Sequence, residues 1–158
     1  MSTYETTRAS LETYFDRTAA ETWARLTSDA PVSRIRQTVR AGRDRMRSSL
    51  LDMLPKDMTG MRLLDAGCGV GQLSAEAARR GADVVAVDIA PNLLDVARAR
   101  LPEDVAARIT FRAGDMLDPA LGRFDWVVAM DSLIHYRAED TAAALAGLAE
   151  RCNAGVAF

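Results

Sequence analysis

Apolar residues in the first sixty positions recur at intervals of three and four. Leu11, Tyr14, Phe15, Ala19, Trp23 and Leu26 fall on one face of a helix that Ser10 can cap. Ala30-Pro31 interrupts that pattern, and Pro31 suits the first turn of a second helix. Val32, Ile35, Val39, Met46, Leu50, Met53 and Leu54 form its stripe, and it stops before Pro55.

From Met61 onward the period changes. Arg62–Ala66, Asp83–Asp88, Arg108–Arg112 and Phe124–Met130 read as short buried strands, Asp83–Asp88 being nearly all β-branched. Helical stretches lie between them, at Gln72–Arg80 closed by Gly81, at Pro91–Arg100, and at Ala138–Arg151. Strands alternating with helices predict an α/β fold, a mostly parallel Rossmann-like sheet with helices on both faces. Two N-terminal helices should precede it. Residues 1–60 form the expected helical lid or cap, and 61–158 the α/β core. Gly155–Phe158 reads as the start of one more strand, so the expectation is that later strands follow in a longer protein.

Composition narrows the class. The chain has 158 residues, a net charge of −2, 49% hydrophobic and 27% charged residues. That suits one globular domain and excludes disorder. No run of about 18 apolar residues could span a membrane. The mild acidity gives no reason to expect nucleic acid as a partner. Two cysteines, Cys68 and Cys152, make no disulfide framework, which points to a reducing, cytoplasmic setting. No partner His or Cys has ligand spacing to the lone His135, so no metal site is expected.

The chemistry concentrates in Asp65-Ala66-Gly67-Cys68-Gly69-Val70-Gly71, between a strand and a helix. Glycines there permit a tight turn and let a ligand approach the backbone. The spacing G-x-G-x-G is neither the dinucleotide fingerprint nor a P-loop. Asp88 ends the next strand, where a carboxylate can accept from both ribose hydroxyls and repels a 2′-phosphate. Asp115 and Met116 follow the third strand and could meet an exocyclic amine and an aromatic ring face. Taken singly, Asp88 could cap the turn before Pro91 and Asp115 could be an ordinary turn residue. In this order, at neighbouring strand ends, they point to a nucleoside-type cofactor. Cys68 reads as a small buried filler rather than a nucleophile.

These motifs resemble the Rossmann-like S-adenosylmethionine-dependent methyltransferases. The resemblance implies S-adenosylmethionine as cofactor. Gly67, Cys68 and Gly69 would line its methionine part, and Asp65 would face its ammonium. Asp88 would hold the ribose, Ile89 would pack on the adenine, and Asp115-Met116 would bind the adenine edge. Met130 and Asp131 would close the site near the methyl group.

A narrower resemblance covers nearly the whole chain. Tyr14-Phe15, Trp23–Leu26, Val32–Arg36, Val39–Arg43, Asp65–Leu73 and Asp131–Tyr136 are similar to the magnesium-protoporphyrin IX O-methyltransferase family of (bacterio)chlorophyll synthesis, and most to its purple-bacterial form. It implies methylation of one propionate of magnesium protoporphyrin IX. Trp23, Thr27 and Tyr136 are then candidate substrate contacts; members from oxygenic phototrophs carry tyrosine at Thr27. His135 is the candidate that positions the propionate, against an axial contact to the porphyrin's magnesium or a purely structural role. The Arg-rich run Arg34–Arg47 reads chiefly as a solvated helix face. Part of it could attract the dianionic porphyrin or an acidic partner. The family suggests as partner the large subunit of magnesium chelatase, with at most peripheral attachment to the photosynthetic membrane. Other readings are a methyltransferase of the same fold acting on a quinone precursor, or a non-catalytic cofactor-binding fragment.

Overall fold

The computed structural model describes residues Met1–Phe158. Five strands form one parallel sheet in the order β3-β2-β1-β4-β5: β1 Arg62–Ala66, β2 Asp83–Asp88, β3 Ile109–Ala113, β4 Phe124–Val128 and β5 Cys152–Ala157. The order reverses beside β1, the topological switch point at which open α/β sheets bind ligands. The register pairs Ala66 with Val87 and Asp88 with Ala113, so the carboxyl ends of the central strands finish level. Both sheet faces are covered, as the alternation of strands and helices predicts. One face packs Leu63, Val84, Ala86 and Val128 against α4 (Gln72–Arg79) and the end of α3 (Arg34–Asp52). The other packs Leu64, Val85, Val87 and Val127 against Ala144 and Leu148 of α7 (Ala138–Glu150). α5 (Pro91–Arg100) and the short α6 (Glu103–Ala106) complete the covering.

β5 begins at Cys152, three residues before the reading from sequence. Cys-Asn-Ala-Gly has the composition of a turn, but two contacts hold it as a strand. Asn153 Nδ2 donates to Asp125 at 3.2 Å, and Gly155 pairs with Trp126, whose ring would lie 3.1 Å from a Cβ there. A side chain at position 155 would press on the indole, so glycine gives the Trp126 ring its closest seat on the strand.

The N-terminal region differs more. Three α-helices, not two, precede the sheet. α1 spans Thr3–Thr13, a π-helical turn covers Tyr14–Thr18, α2 spans Ala20–Leu26, and α3 follows. Ser2, not Ser10, caps the first helix. Its hydroxyl accepts from the Glu5 amide and the Glu5 carboxylate accepts from the Ser2 amide, a capping box. Ser10 lies mid-helix with its hydroxyl donating to the Thr6 carbonyl. α1 has no buried residue, so it carries no apolar period that would reveal it. At the other break Ser33, not Pro31, marks the start, its hydroxyl accepting from Arg36 N. The stripe on α3 is also split. Leu50, Leu51 and Leu54 are buried, whereas Ile35, Val39, Met46 and Met53 face solvent. The first half of α3 extends beyond the core that its last turns join.

Candidate functional site

The strand ends open into a cleft. Its floor is the turn after β1. Gly67, Gly69 and Gly71 all have positive φ, and the Gly67 and Cys68 amides both donate to the Val87 carbonyl at 2.9 Å. A Cβ on Gly67 would lie 2.3 Å from that of Ser132, whose hydroxyl donates to the Ala66 carbonyl. At Gly67 the turn is therefore pressed against Ser132 with no room for a side chain.

Two acids stand behind it. Asp65 is 1% exposed and accepts the Ser74 hydroxyl at 2.6 Å. Burial pushes its carboxyl up to about 6; the Ser74 bond opposes the rise and the charge of Asp88 adds to it. Asp88 accepts from Gly69 N at 2.8 Å and from Ala90 N at 2.9 Å. It thus caps the turn before Pro91 and also presents a carboxylate to the cleft, two readings that the sequence set against each other. Burial raises its pKa, and those two amides pull it back. Burial also raises the Cys68 thiol, which leaves no thiolate nucleophile here.

The N-terminal helices form the opposite wall. α1 reaches Asp115 twice, through the Tyr4 hydroxyl at 2.8 Å and Arg8 Nη1 at 2.7 Å. Tyr4 stacks on Tyr136, with ring centroids 4.8 Å apart. Asp16, in the π-helical turn, accepts from Asn92 N at 2.9 Å and so caps α5, whose own preceding residue, Ala90, offers no cap. Phe15 lies edge-on to both Trp23 and His135. From α3, Arg43 pairs with Asp131 and lies over the Trp23 ring.

All nine expected cofactor residues line this one cleft: Asp65, Gly67, Cys68, Gly69, Asp88, Ile89, Asp115, Met116 and Met130. So do His135, Trp23 and Tyr136. Thr27 lies outside the lining. It is buried, with its hydroxyl facing the Trp23 and Ala24 carbonyls and Arg100. Sequence reasoning missed Tyr4 and read the run holding Arg43 and Arg47 chiefly as a solvated helix face; all three are cleft residues. The arginines had a signal. Positions 40, 43 and 47 share a helical face, and Arg40 turns inward as well, to the carbonyls of Leu26 and Ala30. Tyr4 had none, because its partners lie more than a hundred residues away.

A methyltransferase-domain family profile matches residues 63–155. Magnesium-protoporphyrin O-methyltransferase of Rhodobacter capsulatus is 56% identical over 158 residues, covering 99% of this chain and 70% of the relative. The chain belongs to the magnesium-protoporphyrin O-methyltransferase family. The Synechocystis member of this family is 33% identical, over 86% of this chain and 60% of its own length. A crystal structure of magnesium protoporphyrin IX methyltransferase from Synechocystis, with bound SAM, matches with a TM-score of 0.81 at 29% identity. The match covers 93% of this chain and 72% of that one. Membership extends through the N-terminal helices, beyond the span of the general methyltransferase profile.

Proposed function

We propose that this chain binds S-adenosylmethionine in the cleft and transfers its methyl group to a propionate carboxylate of magnesium protoporphyrin IX, giving the monomethyl ester. The observation that carries this reading is the gathering of Asp65, the glycine turn and Asp88 at one switch point, in a member of this family.

The donor set fits the cofactor. Asp65 and Asp88 suit its cationic and hydroxyl-bearing parts, the glycine turn admits its amino-acid portion close to the backbone, and Ile89 and Met116 offer apolar surface to a purine. When bound, S-adenosylmethionine supplies an electrophilic methyl group on a sulfonium. A propionate, with a pKa of about 4.3, is already ionised at neutral pH, so the protein need not supply a general base. Its task is positioning, which can contribute roughly 7–11 kcal/mol. His135, beside Phe15 in the cleft lining, would donate an N–H to the acceptor carboxylate. Trp23, Phe15 and Tyr136 offer aromatic faces to a flat macrocycle.

Two finer elements belong to the same proposal. The porphyrin arrives from the large subunit of magnesium chelatase, and the protein attaches peripherally to the photosynthetic membrane. The exposed Ile35, Val39, Met46 and Met53 on α3 support a docking face for such a contact. No helix is long and apolar enough to cross a membrane.

The test is turnover. The protein is incubated with methyl-labelled S-adenosylmethionine and magnesium protoporphyrin, and labelled monomethyl ester is the expected product. Cofactor binding by calorimetry with no ester formed would reduce the chain to a cofactor-binding module.

A further inference from the structure

Three arginines on one face of α3 turn toward the body of the protein, and two are fully engaged. Arg40 is bonded to three carbonyls, those of Arg25, Leu26 and Ala30. Arg47 bonds Asp44 and faces Gln72. Arg43 is different. Its Nη1 meets Asp131, and its Nε is buried without any partner. An unpaired, buried guanidinium N–H costs free energy unless a ligand satisfies it. Arg43 also lines the cleft, where its planar group rests over Trp23 at 4.5 Å from the ring centroid, beside Met130 and His135 in the lining. The partner is unusual too. Asp131 is the one non-glycine residue with positive φ, at 57°. It lies three residues past the end of β4 and extends a carboxylate to Arg43.

We propose that Arg43 is the acceptor-carboxylate receptor, and that Asp131 alone balances its charge until substrate arrives. This rests on the methyl-transfer reading above and adds the residue that selects the substrate's charge. A guanidinium whose Nη1 is held by Asp131 keeps its Nε and Nη2 donors, the edge that grips a carboxylate bidentately. The propionate to be methylated takes that edge and shares the guanidinium charge with Asp131. Esterification removes that carboxylate's charge, so the product loses the ion pair and Asp131 again balances Arg43 alone. Binding is then selective for the free acid, and release is favoured by the chemistry itself.

Equilibrium binding separates this role from a structural one. Magnesium protoporphyrin and its monomethyl ester are each titrated, by quenching of intrinsic fluorescence, with S-adenosylhomocysteine present and no turnover. The wild type should bind the free acid more tightly than the ester. Arg43→Gln should weaken the acid by about ten- to a hundred-fold, leave the ester nearly unchanged, and so abolish the preference. Arg43→Lys should restore part of it. Affinity for S-adenosylhomocysteine should stay within about two-fold in both variants. Asp131→Asn removes the carboxylate that shares the guanidinium charge and should tighten the acid. Equal weakening of acid and ester by Arg43→Gln, a parallel fall in cofactor affinity, or a looser acid in Asp131→Asn would each overturn the proposal. A wild type that binds neither porphyrin would instead overturn the substrate reading beneath it.

Discussion

Arg8 and Asp115 meet at 2.7 Å across the cleft, joining the first helix of the chain to the end of β3, 107 residues away. The Tyr4 hydroxyl meets the other oxygen of the same carboxylate, and burial together with that bond raises the tyrosine's pKa. α1 contributes no fully buried residue, so these two contacts, the stacking on Tyr136 and the packing of half-buried Tyr4 against the core hold it over the site. A partly exposed ion pair of this kind contributes roughly 1 kcal/mol or less. Arg8→Ala should therefore raise amide exchange across Thr3–Thr13 by up to about five-fold. Exchange in β1 and β2 should not change. Hydrogen-exchange mass spectrometry checks this, and unaltered exchange in α1 would show that the stacked tyrosines alone hold it.

Asp65 gives a pH-dependent prediction. Its folded pKa, about 6, lies above the ordinary carboxylate value of about 3.9. The native state thus holds this proton more tightly than the unfolded chain does. Stability from this group falls as pH rises from about 4 to about 6 and is level above that. Two pKa units amount to roughly 3 kcal/mol. Asp65→Asn keeps an acceptor for Ser74 and removes the buried charge. It should melt at a higher temperature than the wild type at pH 7.5, match it near pH 4, and bind the cationic cofactor more weakly. Thermal melts at the two pH values and calorimetry test both halves.

Asp88 carries two loads, and its removal should show both. Asp88→Ala leaves the Gly69 and Ala90 amides without their acceptor, which costs about 1–3 kcal/mol of stability. Cofactor affinity should fall by about 1.5–3 kcal/mol, the worth of hydrogen bonds to an ionised acceptor. Urea unfolding and calorimetry give the two numbers. Unchanged affinity would confine Asp88 to the turn.

His135 packs against Phe15 in the cleft lining. His135→Ala should lower kcat by about ten-fold or more while S-adenosylmethionine affinity stays within two-fold. Steady-state kinetics beside calorimetry measures the pair, and an equal fall in both would make the histidine structural.

The first four strands were legible because each is a short β-rich run set off by turns, whereas the start of β5 depends on contacts with β4 that no local signal carries. The residues expected to meet a cofactor gather at one cleft, since parallel strands carry every strand-end residue to one edge. The helical wall was not legible. The capping box at Ser2 and Glu5 is local and was available to inspection, but α1 lacks the apolar period that draws attention to a helix. The Tyr4, Arg8 and Arg43 contacts are long-range pairings of side chains that look solvated in sequence. The exposed Ile35, Val39 and Met46 mislead in the opposite sense, since a regular stripe implies packing that this chain alone does not provide.

Asp65, Asp88, Asp115 and Asp131 each sit at or near the tip of a different strand, and together they fence one side of the cleft with carboxylates. Two of them, Asp115 and Asp131, are balanced by Arg8 and Arg43 from the helical wall, so a parallel sheet that carries acids distant in sequence to one edge also sets where the N-terminal helices must anchor.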